Sequence, residues 1–159
     1  GFCLVGSEMC IRDRNCIKDF DEGKSESVEN NKPILLDFTG WACANCRRVE
    51  ENTWSEPKVY DMINNEFILI SLYVDDRSDL NQDQIIILTD KNGNEKTLKK
   101  VGEKWSAFQT INFKNNSQPY YVLLSPNLEV LNKPIQYTDT DTYQSWLSEG
   151  LENFKKNYK

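Results

Sequence analysis

Two short apolar runs, joined by helix-forming sequence, constrain the fold of this chain more than any other feature. Residues 34–38 (ILLDF) and 67–74 (FILISLYV) are almost entirely apolar, aromatic or β-branched, which is typical of strands buried on both faces. Between them, residues 44–54 and 55–66 predict two helices, the second opening with a serine and a proline. Strands joined through helices pair in parallel by a right-handed crossover. The pattern therefore predicts a sheet that carries helices.

The remaining segments extend this plan to a mixed α/β domain. The last two predicted strands are joined by a tight turn and must be antiparallel, whereas Asn92-Gly93 is typical of a separate small hairpin. Trp105 and Trp146 fall on apolar helical stripes and are expected in the core. The predicted fold class is α/β, a mixed central β-sheet flanked by helices with a small β-hairpin insertion. The further predicted elements are helices at 17–31, 101–113 and 139–159, the insertion hairpin at 85–98, and strands at 120–125 and 128–132.

Composition excludes several function classes. The 159-residue chain is long enough for one domain with a real core. Its net charge of −6 argues against nucleic-acid binding, which needs clustered basic residues. The chain has no histidine, so His-dependent triads and imidazole zinc sites are excluded. No apolar run approaches the roughly 20 residues that cross a bilayer, so we expect no direct membrane insertion of this sequence.

The first 14 residues differ in character from the rest. Residues 1–14 (GFCLVGSEMCIRDR) have neither helical nor strand periodicity and lack the features of a signal peptide. The segment SEMCIRDR resembles translated adapter sequence. We therefore predict a non-native or disordered leader at 1–14 and one folded domain at 15–159. Cys16, just beyond the leader, is expected to be a non-catalytic free thiol.

Cys43 and Cys46 form a C-x-x-C pair directly after the first predicted strand and at the start of a helix. Unpaired N–H groups at a helix N-terminus stabilise a thiolate, so Cys43 is placed to act as a nucleophile. Cys46 follows one turn later on the same face and can close a disulfide with it. This context predicts a redox-active pair.

Other interpretations of the pair are weaker. A closed zinc site needs four ligands, and without histidine it would have to recruit Cys10 and Cys16. Copper(I) held by two thiolates is chemically feasible, which leaves a metal carrier as an alternative from another class. A purely structural bridge across two residues closes too short a loop to constrain the unfolded chain much. We expect no metal and no cofactor.

The segment KPILLDFTGWACANCRRVEENTW, residues 32–54, resembles the active-site segment of the thioredoxin superfamily. More narrowly, it resembles the C-terminal periplasmic domain of the DsbD family of thiol:disulfide interchange proteins. The likeness continues through SEPKVYDMINNEFILISLYVDD, VGEKWSAFQ, NSQPYYVLLSP and GLENFKK, and covers residues 17–159. It implies a thioredoxin-like fold with an insertion near residues 75–100.

The resemblance also assigns roles to residues around the cysteines. Asp37 matches the buried acid of thioredoxins, and Glu50 matches a second acid typical of the DsbD domain. Both can accept the proton when Cys46 deprotonates to attack a mixed disulfide. Because two acids oppose the helix N-terminus, we expect the pKa of Cys43 not to be strongly depressed.

Three further residues are implied to bind the client protein. Pro119 matches the proline that thioredoxin folds hold in the cis form, which leaves the backbone of Gln118 available to an extended chain. Trp41 stands one position earlier than the usual tryptophan, because Ala42 directly precedes the first cysteine. A ring at either position could cover the disulfide, so the sequence does not fix which surface Trp41 contacts.

The implied function is that of a protein-disulfide reductase domain. Such a domain takes electrons from a membrane-embedded donor domain and passes them to oxidised periplasmic proteins. The expected location is the periplasm of a Gram-negative bacterium, as the monomeric soluble part of an inner-membrane protein. The alternative with the same chemistry is a free periplasmic thioredoxin-like protein that serves cytochrome c maturation.

Overall fold

The computed structural model describes residues 16–158. The leader predicted at 1–14 lies outside the described residues, so the predicted division of the chain remains a prediction. A π-helical turn at Val49–Thr53 follows the second helix, and a 3₁₀ turn occupies Gln82–Gln84. In chain order the helices and strands are α1 Phe20–Asn30, β1 Ile34–Thr39, α2 Ala44–Arg48, α3 Pro57–Glu66, β2 Ile68–Tyr73, β3 Ile86–Thr89, β4 Glu95–Leu98, α4 Val101–Phe113, β5 Tyr120–Leu124 and α5 Thr140–Asn157.

The central sheet has the strand order β2-β1-β5 and is mixed, as predicted. β1 pairs in parallel with β2 and antiparallel with β5. Every residue of β1 is buried, because helices cover both faces of this middle strand. In the register, Asp37 lies between Ser71 of β2 and Tyr121 of β5. The predicted insertion forms a separate two-stranded antiparallel sheet, β3-β4.

Alternate side chains of the sheet enter two cores. On one face, Leu35, Leu69 and Leu123 pack with side chains of the π-helical turn, α3 and α5, including Trp146. On the other face, Leu36, Ile70 and Val122 pack with α1 and α4, including Trp105. Both tryptophans predicted to be core residues are therefore buried. Two-sided burial explains why the strand sequences are continuously apolar rather than alternating.

Three predicted boundaries were wrong. The first helix begins at Phe20 rather than at residue 17, because Asp19 caps it and Ile17 instead pairs with Ile70 at the edge of β2. The helix predicted over 44–54 leaves α-helical geometry after Arg48 and continues as the π-helical turn. The second strand of the last predicted hairpin is reduced to isolated bridges of Val130 and Ile135 with β5.

Candidate active site

The two cysteines lie at the start of α2, immediately after the loop that follows β1. Cys43 is the N-cap residue, and its Sγ accepts a hydrogen bond from the backbone N–H of Cys46 at 3.1 Å. The pair forms a disulfide with a Cα–Cα distance of 5.2 Å. Cys43 is half-buried, whereas Cys46 is only 1% exposed. A client thiol or disulfide therefore has access to Cys43 and not to Cys46.

Arg47, the residue after the second cysteine, forms hydrogen bonds with Glu50 and with the loop that precedes Cys43. Its Nε and Nη2 donate to the two carboxylate oxygens of Glu50 at 3.0 and 2.8 Å. Nη1 donates to the carbonyl oxygens of Gly40 and Trp41, and Nη2 also donates to Thr39 Oγ1. Arg47 was not among the predicted site residues. Its spacing of three from Glu50 was the available signal, because residues three apart on a helix are neighbours.

The two acids assigned by resemblance occupy different environments. Asp37 is 2% exposed in the middle of β1, where Ser71 Oγ donates to its carboxylate at 3.0 Å. Burial, and then the negative charge of Glu50, hold the pKa of Asp37 well above its usual value, although Ser71 and Arg47 oppose the shift. Glu50 is 9% exposed and forms the bidentate ion pair with Arg47. Asp37 therefore holds its proton to a higher pH than a free aspartate does.

The loop before the first cysteine is also bound by residues at the end of β2 and just after it. The carboxylate of Asp75 accepts hydrogen bonds from the backbone N–H groups of Trp41 and Ala42 at 2.8 and 3.1 Å. The indole of Trp41 stacks on Tyr73 with 3.9 Å between ring centroids, and Lys18 Nζ lies 5.0 Å from the indole centroid. Trp41 stays 39% exposed. Asp75 and Tyr73 were not anticipated, since they lie more than 30 residues from the loop in sequence.

Gln118 and Pro119 lie immediately before β5. The peptide bond between them is cis, as the resemblance implied. Because Phe38 pairs with Tyr120, the proline lies across from the end of β1 that leads to Cys43. Gln109, fully buried on α4, donates to Asn115 Oδ1 and to the carbonyl oxygen of Ser117, which holds the segment before the proline.

Residues 15–126 match the thioredoxin-like family. This match covers more than half of the chain. The chain belongs to the thioredoxin-like family. The expected fold class is thereby confirmed.

The thioredoxin-like domain is similar to DsbD, the thiol:disulfide interchange protein of Campylobacter jejuni (strain RM1221). The two are 38% identical over 69 residues, which cover 43% of this chain and 12% of the relative. The similarity thus spans a small part of a much longer protein. It supports the DsbD-like character that the sequence analysis inferred.

Two solved structures share the fold of the thioredoxin-like domain. A DsbH oxidoreductase superimposes with a TM-score of 0.62 at 12% identity, covering 96% of this chain and 94% of the other. The reduced C-terminal domain of DsbD from Neisseria meningitidis gives a TM-score of 0.54 at 12% identity, covering 82% and 91%. Together with the Cys43–Cys46 disulfide, the family and the DsbD likeness characterise this chain as a thiol:disulfide oxidoreductase domain.

Other features of the thioredoxin-like domain bear on the alternatives. Cys16 is half-buried and disulfide-bonded, so the expectation of a free thiol was wrong. Within residues 16–158, no three His, Cys, Asp or Glu side chains are grouped as ligands of a metal ion. In the same part of the chain, no helix is both long and apolar enough to cross a membrane.

Proposed function

We propose that this domain is a protein-disulfide reductase domain that relays electrons from a membrane-embedded DsbD-type donor domain to oxidised periplasmic proteins. The observation that carries the proposal is the asymmetry of the pair, with Cys43 half-buried at the N-cap of α2 and Cys46 fully buried on the helix. The domain acts as a monomer. It needs no metal or cofactor, because the two thiols supply both electrons.

The reaction begins with the reduced pair. The Cys43 thiolate attacks one sulfur of the client disulfide, forming a mixed disulfide and releasing the first client thiolate. Because Cys43 accepts the Cys46 N–H, the backbone at the start of α2 stabilises negative charge on its sulfur. Trp41, Gln118 and Pro119 form the surface beside Cys43 on which the client chain lies.

The second step regenerates the disulfide. Cys46 gives up its proton, attacks Cys43 Sγ and releases the second client thiolate. Ionised Asp37 receives that proton, since its raised pKa makes its carboxylate a stronger base than a free aspartate. Glu50 contributes as a negative charge that raises the pKa of Asp37. A dithiol of the donor domain then reduces the Cys43–Cys46 disulfide by the same exchange in reverse, completing a two-electron cycle.

Insulin reduction tests this assignment. The domain is reduced with dithiothreitol, freed of it by desalting, and mixed with insulin. We expect insulin reduction by the parent protein and none above background by Cys43→Ser, because the attacking sulfur is lost. Cys46→Ser is expected to accumulate a mixed disulfide with insulin, visible by mass spectrometry.

The matched control is Cys16→Ser, which removes a cysteine outside the C-x-x-C pair and is expected to reduce insulin as the parent does. Equal rates for the parent and Cys43→Ser would overturn the proposal. Transfer from the reduced membrane-embedded domain of a DsbD protein then separates the leading function from a free thioredoxin-like protein. Failure of that transfer, with insulin reduction intact, would favour the latter.

A further inference from the structure

The guanidinium group of Arg47 uses its full hydrogen-bonding capacity at the active site. It makes five hydrogen bonds, to Glu50, Gly40, Trp41 and Thr39. An arginine side chain has five N–H donors in a fixed planar fork, and here each of them has an acceptor. Lysine carries three donors on a point charge and cannot reproduce the arrangement. The hydrogen-bond acceptors around Arg47 therefore match an arginine side chain and not a lysine side chain.

Both carboxylate oxygens of Glu50 are engaged by Arg47. The paired oxygens accept from Nε and Nη2 in a bidentate ion pair that is largely shielded from solvent. Charge-assisted bidentate bonds of this kind favour the ionised carboxylate, and a proton added to either oxygen would break one of them. A buried carboxylate without such a partner would favour its neutral form instead. Arg47 therefore stabilises the negative charge of Glu50, which lies four residues after Cys46.

The remaining bonds of Arg47 reach the loop between β1 and the first cysteine. The carbonyl oxygens of Gly40 and Trp41 and the hydroxyl of Thr39 all accept from this one side chain. Cys43, the N-cap of α2, follows Trp41 by two residues. By binding both the loop and Glu50, Arg47 therefore links the position of the Cys43 sulfur to the negative charge of Glu50. The loop and the anion are held by one rigid group.

We propose that Arg47 is a positioning residue for disulfide exchange, which holds Glu50 as a fixed anion against the loop that carries Cys43. This inference rests on the proposed function, in which Cys43 attacks and Cys46 resolves. It divides the roles of the two acids: Glu50 supplies a constant charge, and Asp37 alone takes up the proton of Cys46.

Other groups around the ion pair also carry charge or titrate. Tyrosines of β2, β5 and α5 face it and stay neutral at physiological pH, because burial above all raises their pKa values and the negative charges of Asp37 and Glu50 add to that effect. Asp75 and Lys18 contact Trp41, Asp75 at its backbone N–H and Lys18 over its ring. Of the carboxyl groups in this set, Asp37 is the one whose pKa responds to both Glu50 and Arg47. In the described part of the chain, these groups are Lys18, Asp37, Tyr73, Asp75, Tyr121 and Tyr143.

Two titrations of the reduced protein test the role of Arg47. The first follows the side-chain carboxyl carbon of Glu50 by NMR in protein labelled with ¹³C-glutamate, with the signal assigned by its loss in Glu50→Gln. The second follows alkylation of Cys43 by iodoacetamide against pH, with the Cys43 peptide quantified by mass spectrometry. In Arg47→Met we expect Glu50 to titrate at least about one pH unit higher than in the parent. Cys43 alkylation should shift upward by on the order of one unit, because an unpaired anion opposes the thiolate.

Arg48→Met is the matched control. Arg48 is the next residue on α2 and is exposed, and its guanidinium donates to Asn45 rather than to Glu50 or the loop. Both titrations are expected to follow the parent in this variant. Arg47→Lys should keep Glu50 ionised and give a Cys43 profile between those of the parent and Arg47→Met, since it restores the charge without the fork.

The inference is overturned if Arg47→Met titrates like Arg48→Met at both Glu50 and Cys43. Should Arg47→Met not fold, Arg47→Gln replaces it; this variant keeps two N–H donors and loses the charge, and the same upward shifts are expected. Neither titration uses a client protein or a donor. A failure of insulin reduction would therefore overturn the proposed function and leave this result standing, and the reverse also holds.

Discussion

Asp37 occupies a position that a carboxyl group rarely tolerates. It lies in the middle of the central strand, 2% exposed, with Ser71 as its hydrogen-bond donor. Burial and then the charge of Glu50 raise its pKa above that of a free aspartate. When ionised, Asp37 is therefore a stronger base than a free aspartate, which makes it an effective acceptor for a proton released nearby.

Asp37→Asn tests the environment and the role together. A raised pKa means that the stabilisation from this group is present at low pH and is lost as the pH rises through the folded value. A permanently neutral Asn should therefore match the parent near pH 4 and be more stable at pH 8, by about 1.4 kcal/mol for each unit of raised pKa. Urea unfolding at both pH values measures this.

The same variant should reduce insulin at least about tenfold more slowly, because it lacks the proton acceptor. Asp83→Asn, an exposed acid on the insertion, is the control for both measurements. A stability difference between Asp37→Asn and the parent that does not change with pH would contradict the buried-acid description.

At the scale of elements, α4 approaches the segment after β2 so closely that only glycine fits. A Cβ atom on Gly102 would lie 2.6 Å from both the Asp76 nitrogen and the Val74 carbonyl oxygen. The Gly102 N–H also donates to the carbonyl oxygen of Asp76. Between these residues lies Asp75, which binds the loop before Cys43. The helix therefore supports the backbone from which the active-site loop is held.

We expect Gly102→Ala to lower the free energy of unfolding by about 1–3 kcal/mol, because the new methyl group meets backbone atoms that cannot move without shifting the helix. Chemical denaturation measures the effect. Ser106→Ala, one turn further along α4, is the control and should stay close to the parent. Equal stabilities of Gly102→Ala and Ser106→Ala would contradict this prediction, because they would show that residues 74–76 move to accommodate the methyl group without loss of stability.

At the scale of the whole molecule, the insertion stands apart from the central sheet. Within residues 16–158, β3 and β4 pair only with each other. One side of this hairpin, with Leu88 and Leu98, faces α4. Its base is closed by backbone hydrogen bonds from Leu80 to Lys99 and from Val101 to Ser78. The two cores on either side of β1 do not include residues 82–97.

Replacement of residues 82–97 by Asn-Gly should leave a domain that folds and reduces insulin. We expect the free energy of unfolding to change by no more than about 2 kcal/mol, because lost contacts with α4 are partly offset by the smaller entropy of closing a shorter connection. Circular dichroism during urea unfolding measures this. Loss of a single cooperative transition would show that the insertion is part of the folding core.

Much of the molecule was predictable because its signals are local. The strands were recognisable from continuous apolar runs, the helices from 3.6-residue periodicity, and the Cys43–Cys46 pair from its spacing after a strand. The π-helical turn was not predictable in the same way, since Val49–Thr53 has an ordinary helical sequence. Its geometry accompanies the packing of Val49 and Trp54 into the core.

The amino-acid sequence by itself determined the mixed α/β plan, the thioredoxin-like likeness and the redox pair. Only the tertiary structure decided what surrounds that pair: Ser71 beside Asp37, Asp75 on the loop before Cys43, and the stack of Trp41 on Tyr73. The physical reason is separation along the chain. Periodicity and caps act over a few residues, whereas these contacts join residues more than 30 apart and exist only when β1 and β2 lie side by side.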